Sequence, residues 1–175
     1  LELSRLPNID EILLVPLYPH YAESTIATTI AETERVLKKH ALSIKLKTLK
    51  PFYDRPEYIE ALVSSAQPWI SKPESYDHVL FSYHGLPEQH ITGTDPTGNH
   101  CLKQENCCSV SSSAHETCYR HQVFKTTECF VKETGLKQEQ YTIAFQSRLG
   151  RARWLEPSTN DTLIELANAG VKNLL

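Results

Sequence analysis

The sharpest candidate for chemistry is His84, which ends the apolar run HVLFSYH (78–84) and is followed by Gly85 and Pro87. A short apolar run bounded by turn residues predicts a buried strand over 76–84. A strand end is a rigid support, and near neutral pH an imidazole can accept a proton or bind a borderline metal ion. The run therefore indicates either a strand that presents His84 for function or a strand that simply ends in a loop.

A second candidate is a cluster of thiols in an irregular segment. The N-terminal stretch LELSRLPNIDE lacks the three regions of a signal peptide, which disfavours a disulfide framework and favours metal binding. Four thiolates suit a [2Fe–2S] cluster, or zinc if neighbouring histidines join, while the alternative is a set of reduced free thiols. We predict Cys129 to be a core residue beside Phe130. The candidate ligands are Cys101, Cys107, Cys108 and Cys118, with His100, His115 and His121 nearby.

Two further predicted strands end in residues that could bind a ligand. The first leads into Tyr18–Tyr21, and a later one into Gln146, Ser147 and Arg148, ahead of Trp154. In open α/β sheets, ligands bind outside the carboxyl ends of the strands. If these strands are neighbours, they line an aromatic, partly cationic cleft for a flat apolar ligand with carboxylates. The alternatives are a solvated loop for Arg148 and ordinary packing for Tyr18 and Trp154.

Strand and helix patterns alternate along the chain, which predicts parallel βαβ units. Ser24 and Thr25 are expected to cap the first helix, and Gly135 to end the third. VKNLL opens a further strand, and residues 88–118 form a cysteine-rich insert without periodicity, which is typical of a functional segment. The predicted strands cover 11–19, 43–52, 76–84 and 141–147, and the predicted helices 24–40, 55–70, 114–135 and 158–170.

Composition narrows the class of protein. The net charge is −3 and the basic residues are scattered, so we expect no nucleic-acid partner. No apolar run approaches the length of a membrane span, and we expect a cytoplasmic protein. The chain has no methionine, opens on Leu1 and stops where a strand begins, so we expect it to be a piece of a longer protein.

Three segments, in the right order, carry a resemblance to a known family. SYHGLP (82–87), FQSRLGRARWLEPST (145–159) and PLYPHYAESTIATT (16–29) resemble ferrochelatases, which insert ferrous iron into a porphyrin in haem biosynthesis. The resemblance implies an α/β fold with two Rossmann-like lobes, each a parallel sheet flanked by helices, and the porphyrin between them. Residues 1–42 would then be the end of the first lobe and residues 43–175 the main part of the second.

The resemblance also implies roles for the candidate residues. His84 would be the catalytic histidine that takes pyrrole protons, ligates the Fe²⁺ substrate, or both. Tyr18 and Ser147 would line the porphyrin site, with Arg148 beside Ser147, and Trp154 belongs to the same signature. The family's essential glutamate would lie beyond Leu175, so we do not expect this piece to catalyse alone. The rest of its own chain would complete the cleft, and the parent protein could contact a membrane surface peripherally.

Several alternatives stay open. The protein could be a related chelatase that inserts cobalt or iron into another tetrapyrrole, or a tetrapyrrole or iron–sulfur binding module without catalysis. The porphyrin could be protoporphyrin IX or coproporphyrin III. Some ferrochelatases carry a [2Fe–2S] cluster bound partly by a C-terminal tail. Here local spacing predicts one on the four clustered cysteines, a different arrangement.

Overall fold

The computed structural model describes residues 9–175, which form two compact units that divide between Phe52 and Tyr53. Residues 1–8, the start of the expected 1–42 segment, lie outside the described residues. Each unit contains a parallel two-stranded sheet with helices, so the predicted α/β class is confirmed. Among the described residues, no helix has the length and apolar character that crossing a membrane would require.

The first unit contains strand β1 (Glu11–Leu14), helix α1 (Thr28–Lys39) and strand β2 (Lys45–Thr48). β2 pairs with β1 in parallel from Glu11–Lys45 to Leu14–Thr48. We expected residues 43–52 to open the second lobe, but this pairing places β2 in the first unit. The two compact units thus divide after Phe52, whereas the lobe division after residue 42 that the resemblance implies stays a prediction.

The first helix begins differently from the sequence expectation. A π-helical turn, Glu23–Ala27, precedes α1, and Ala22 is the capping residue, with no side-chain cap. The expected capping by Ser24 or Thr25 is wrong, because both residues lie inside the first turn, where the Thr25 hydroxyl donates to the Ala22 carbonyl. Ile26 in this turn and Leu37 in α1 are almost fully buried.

The second unit is built on strands β3 (Val79–His84) and β4 (Tyr141–Gln146). The strands pair in parallel from Val79–Tyr141 to His84–Gln146. Helix α2 (Pro56–Ile70) packs against helix α4 (Tyr119–Thr134), and α5 (Thr159–Asn168) packs against β4. The larger buried apolar side chains of this unit include Ile59, Val79, Leu86, Ile91, Val123, Phe130, Phe145 and Leu155.

The outer edge of β3 is paired as well. Asp77 N–H donates to the Asn173 carbonyl, Leu80 N–H to Leu175, and Leu175 N–H to His78. His78 and Leu174 form a parallel bridge, in agreement with the expectation that VKNLL opens a strand. β3 therefore pairs with β4 on one side and, near its start, with residues 173–175 on the other. This double pairing restricts the direction of the strand and of the residues at its end.

The cysteine-rich insert is more ordered than expected. It begins with helix α3 (Glu88–Gly93), whose single helix-disfavouring glycine lies at its last position. It also includes a 3₁₀ turn at Ser113–Glu116. Between these elements the chain runs through consecutive turns. The long helix begins at Tyr119, not near 114, and Cys118 is its N-cap.

Candidate functional site

His84 is the last residue of β3, and its side chain is exposed while its backbone is held on both sides. The Tyr119 hydroxyl donates to the His84 carbonyl at 2.8 Å, and Gly85 N–H donates to the Gln146 carbonyl at 2.7 Å. Burial raises the pKa of Tyr119 to about 12, so this phenol stays protonated and remains a donor. The imidazole therefore faces solvent from a fixed backbone, as a base or metal ligand requires.

Trp154 lies against the turn that follows His84. A Cβ atom at Gly85 would come within 2.8 Å of the Gln146 carbonyl oxygen and 3.3 Å of Trp154 Cε3. Trp154 Nε1–H donates to the Leu149 carbonyl at 2.9 Å, and Trp154 forms an antiparallel bridge with Pro87. The loop after β4 is thus pinned beside the end of β3, and Gly85 is required there for close approach.

Ser147 and Arg148 leave β4 next to the partner of His84. Ser147 has φ 70° and Arg148 is exposed. Both border an open polar cavity of about 410 Å³ at the start of α5. Since His84 pairs with Gln146, the structure brings His84, Ser147 and Arg148 to one sheet edge. The geometry offers a base beside polar and cationic groups that could receive a carboxylate.

Tyr18 belongs to the first unit. It follows β1 in the segment between Leu14 and the π-helical turn, and its side chain is 44% exposed. An exposed phenol after a strand end is compatible with ligand contact. Its participation in the same site as His84 stays a prediction.

The four clustered cysteines are buried together in the insert. Cys101, Cys107, Cys108 and Cys118 are all less than 10% exposed and none is in a disulfide. The Cys118 thiol is within hydrogen-bonding reach of the thiols of Cys101 and Cys108. Cys129, which we expected in the core, is half-buried on α4 and lies beside another surface cavity.

Three of the four sulfurs accept hydrogen bonds from N–H groups. Leu102 N–H donates to Cys107 Sγ at 3.4 Å, and His121 N–H to Cys118 Sγ at 3.5 Å. Arg120 Nη1 donates to Cys108 Sγ at 3.2 Å. N–H donors directed at sulfur favour the thiolate, which is the metal-binding form.

Burial works against ionisation of two of the four clustered thiols, Cys101 and Cys108. Burial raises the pKa of Cys101, with the Cys118 contact opposing it. The Cys118 hydrogen bond and then burial raise the pKa of Cys108, and Arg120 acts in the opposite direction. Without a bound cation these groups are thiols, so any metal must displace their protons.

Three histidine side chains contact the backbone carbonyls of Cys107 and Cys108. His100 Nε2 and His115 Nε2 both lie within 2.9 Å of the Cys107 carbonyl, and His121 Nδ1 lies 2.7 Å from the Cys108 carbonyl. The rings of His115 and His121 stack at 3.6 Å. These imidazoles therefore bind backbone oxygens, which makes them supports of the loop and not ligands in this conformation.

Asp95 anchors the start of the same loop. Its carboxylate accepts hydrogen bonds from the backbone N–H groups of Thr97, His100 and Cys101 and from the Thr97 hydroxyl. Burial raises the pKa of Asp95, but these four donors outweigh it and hold the pKa well below its usual range. The Asp95 carboxylate is therefore charged, and in this form it fixes the backbone at Cys101.

No group of three or more His, Cys, Asp or Glu side chains within residues 9–175 is arranged to hold a metal ion. The four clustered thiols are nevertheless buried close together, and three of them accept N–H hydrogen bonds.

Sequence reasoning missed the residues that support the site. Tyr119 and Arg120 are the first two residues of α4, yet one holds His84 and the other contacts Cys108. Asp95 left a recognisable signal, because Asp-x-Thr is a typical Asx-turn sequence. For Tyr119 the sequence carries no such signal, since its partner lies 35 residues away.

Comparison with known proteins identifies the family. The family model described as Ferrochelatase matches residues 2–175. The ferrochelatase of Stutzerimonas stutzeri (strain A1501) is 51% identical over 169 residues, covering 96% of this chain and 49% of the relative. That of Pseudomonas fluorescens (strain Pf0-1) is 51% identical over 165 residues, covering 94% and 48%, and that of Azotobacter vinelandii is 44% identical over 169 residues, covering 96% and 49%.

This chain therefore spans about half the length of the curated relatives it matches. The match takes in both units of the structure and all the candidate residues described above. The chain belongs to the ferrochelatase family.

Proposed function

We propose that the protein of which this chain is a part inserts ferrous iron into a porphyrin, with His84 as the base or iron ligand. The observation that carries the proposal is the exposed imidazole on a doubly held strand end, in a chain of the ferrochelatase family. A precise, immobile backbone with a solvent-facing side chain is what a catalytic histidine needs.

The chemistry explains why such a histidine is useful. A flat porphyrin hides its nitrogen lone pairs and its two N–H protons in the ring plane. Binding energy spent on bending the ring exposes them, which stabilises a geometry close to the transition state. An imidazole held beside the ring could then accept one of these protons as Fe²⁺ sheds water and enters.

The neighbouring groups have roles that follow from their positions. Ser147, Arg148 and the start of α5 border a polar cavity at the same sheet edge, where they could receive a propionate. Trp154 packs the turn beside His84, and Tyr18 would line the porphyrin from the first unit. The rest of the longer chain would complete the cleft, and a cytoplasmic enzyme with peripheral membrane contact is consistent with an apolar product.

The test is an assay of anaerobic iron insertion by the whole protein. The reaction is monitored through the loss of porphyrin fluorescence and the gain of haem absorption. Protoporphyrin IX and coproporphyrin III are assayed separately, which also decides the substrate. We expect His84→Ala to lose about 100-fold or more of the activity. His40→Ala is the matched control, because His40 is an exposed histidine at the end of α1. A folded wild-type protein that binds porphyrin without turnover contradicts the proposal and favours a binding module.

We further propose a [2Fe–2S] cluster on the four clustered cysteines, Cys101, Cys107, Cys108 and Cys118. Buried thiols that contact one another and receive N–H hydrogen bonds support this assignment. When bound, such a cluster supplies one-electron redox chemistry or a structural crosslink of the insert. The histidines are occupied by backbone carbonyls, which favours an all-thiolate site over zinc with mixed ligands.

Iron and acid-labile sulfide are measured in whole protein purified anaerobically, together with the visible spectrum. We expect equal amounts of iron and sulfide in the wild type and their loss in Cys107→Ser. Cys129→Ser is the control, because this thiol lies outside the cluster on α4. Zinc in place of iron, or no metal at all, contradicts the cluster.

A further inference from the structure

The loop that follows β4, residues 147–153, carries three arginines at the surface. Arg148, Arg151 and Arg153 are all exposed, and the loop contains no acidic residue. Charges of both signs are normally interspersed on a protein surface, so a loop with positive charges only is suited to an anionic ligand. The three arginines differ, however, in what they contact.

Arg153 is bound to the turn that follows His84. Glu88 N–H donates to the Arg153 carbonyl at 2.8 Å, and a Glu88 carboxylate oxygen lies 3.5 Å from Arg153 Nε. Leu155 N–H donates to the Leu86 carbonyl at 2.9 Å, so residues 153–155 run antiparallel to residues 86–88. Arg153 therefore anchors the end of the loop, and Glu88 offsets its charge.

The other two arginines have no such partner. Within residues 9–175, no ion pair or hydrogen bond involves the guanidinium of Arg148 or Arg151. A guanidinium stays charged at any pH at which the protein is folded. Both positive charges are therefore available to a ligand.

The backbone between these two arginines is held in place. Trp154 Nε1–H donates to the Leu149 carbonyl at 2.9 Å, which ties the middle of the loop to its anchored end. Gly150 adopts φ 71°, which a glycine accepts without strain. Since the loop is already ordered, binding a ligand to its side chains costs less conformational entropy than binding to a mobile loop.

The loop also lies within reach of His84. Arg148 comes two residues after Gln146, which pairs with His84. With at most about 3.6 Å per residue and about 5 Å between paired strands, the Cα atoms of Arg148 and His84 are no more than about 12 Å apart. Arg151 comes three residues before Trp154, which packs on the turn after His84. A ligand placed over His84 can therefore extend one edge to both cations.

The neighbouring side chains favour a ligand with an apolar body and an anionic edge. Leu149 lies between the two arginines and is 78% exposed, so it offers apolar surface beside the charges. Asp161 borders the polar cavity beside Arg148, where it accepts a hydrogen bond from the Ser158 hydroxyl at 2.6 Å. This carboxylate would repel an anion placed against α5, which directs an acidic group to the arginine side of the cavity.

We propose that Arg148 and Arg151 bind the two neighbouring propionates of a porphyrin, so that the loop selects tetrapyrroles with a pair of carboxylates on one edge. The inference rests on the proposed function and deepens it by naming Arg151 as a second carboxylate-binding residue. Each guanidinium can donate two parallel N–H hydrogen bonds to a carboxylate. Removal of the cation and removal of the carboxylates should therefore not be additive in their effects on binding.

The experiment measures equilibrium binding by porphyrin fluorescence, with the whole protein and without iron. The two ligands are protoporphyrin IX and its dimethyl ester, which lacks the carboxylate charges, in the same detergent. We expect Arg151→Gln to weaken binding of the diacid at least about fivefold and binding of the ester less than about twofold. Arg151→Lys keeps the charge and should recover part of the loss. Arg55→Gln, at the exposed arginine that precedes α2, is the control and should match the wild type with both ligands.

The outcomes separate this inference from the proposed function. If the folded wild type binds neither porphyrin, both are overturned. Binding without iron insertion overturns the proposed reaction alone, because the comparison of diacid with ester still decides the role of Arg151.

Three results would overturn the role of Arg151 itself. Equal weakening of diacid and ester binding in Arg151→Gln would mean that this arginine supports only the structure of the loop. Unchanged binding of the diacid would mean that it contacts no carboxylate. Unchanged diacid binding together with lost sedimentation on phosphatidylglycerol vesicles would assign the loop to an anionic lipid surface.

Discussion

Replacing Gly85 by alanine is predicted to disturb the strand end that carries His84. The added Cβ would lie 2.8 Å from the Gln146 carbonyl oxygen, closer than real Cβ contacts. That oxygen is backbone and cannot rotate away, and it also accepts the Gly85 N–H bond of 2.7 Å that closes the β3–β4 ladder. On the other side the Cβ meets Trp154 Cε3 at 3.3 Å, so relief in that direction is limited.

The magnitude follows from the required shift. Restoring ordinary contact means separating Gly85 from Gln146 by about 0.6 Å, which stretches or breaks the terminal hydrogen bond. Overpacking of this kind costs about 1–3 kcal/mol, roughly a 5- to 150-fold change in the unfolding equilibrium. Displacement of the neighbouring imidazole by a few tenths of an ångström should lower kcat about tenfold or more, since about 1 Å costs about 100-fold.

The assay measures thermal unfolding and anaerobic iron insertion on the same preparations of whole protein. Gly93→Ala is the matched control, because a Cβ there meets nothing within 4 Å and Gly93 ends helix α3. We expect a lower midpoint and lower kcat for Gly85→Ala and no loss for Gly93→Ala. Equal midpoints and equal kcat in the two variants would refute the steric argument.

Three other perturbations have defined outcomes. Asp95→Asn replaces the acceptor of four hydrogen bonds by an amide, so we expect this variant to contain less of the proposed cluster. Glu105→Gln, at an exposed site of the same loop, should keep the wild-type iron content. Equal iron content in the two variants contradicts the anchoring role of Asp95. Burial lowers the pKa of His20 to about 4 from 6.5, so the unfolded chain takes up the proton first and stability falls as the pH drops through this window, by at most about 3 kcal/mol. His20→Gln should flatten the thermal midpoint between pH 6.5 and 4, and parallel curves for the two proteins would exclude His20. Tyr119→Phe removes the 2.8 Å hydrogen bond to the His84 carbonyl, so we expect the free energy of unfolding to fall by about 1 kcal/mol. We also expect kcat to fall several-fold while the spectrum of the proposed cluster stays the same. An unchanged kcat would exclude a positioning role for Tyr119.

The sequence predicted best those elements whose ends are set by local chemistry. α2 begins at Pro56, α4 ends at Gly135 with φ 73°, and Ser158 caps α5 by accepting the Asp161 N–H. In each case one residue has a conformational or hydrogen-bonding property that decides the boundary by itself. Such positions can be recognised without knowledge of the tertiary structure.

The elements predicted poorly depend on distant partners. β2 reads as a strand from its own alternation, but its membership of the first unit follows only from pairing with β1. Residues 88–93 are too short for a helical period to emerge, although they form α3. Strand pairing and short helices are decided by tertiary contacts, which a linear pattern does not contain.

The candidate site likewise contains residues that local sequence signals predict and residues whose position depends on distant partners. The place of His84 at the end of a strand could be predicted, because an apolar run followed by glycine is a local signal, whereas its catalytic role stays a prediction. The supports of the site come from the far side of the insert, where Tyr119 and Arg120 open α4. Four cysteines close in sequence predicted a shared environment, and all four are buried. Their hydrogen-bond donors could not be predicted, because these depend on how the turns fold back.

The double pairing of β3 has a consequence for synthesis of the chain on the ribosome. Asp77, just before β3, is bonded to Asn173, 96 residues further along the chain. At about 5–20 residues per second, β3 leaves the ribosome about 5–20 s before that partner. During this interval one edge of an apolar strand is open to pairing with other nascent chains. Chaperone binding near residues 79–84 on stalled chains would reveal this interval, and it should end once residues 173–175 have emerged.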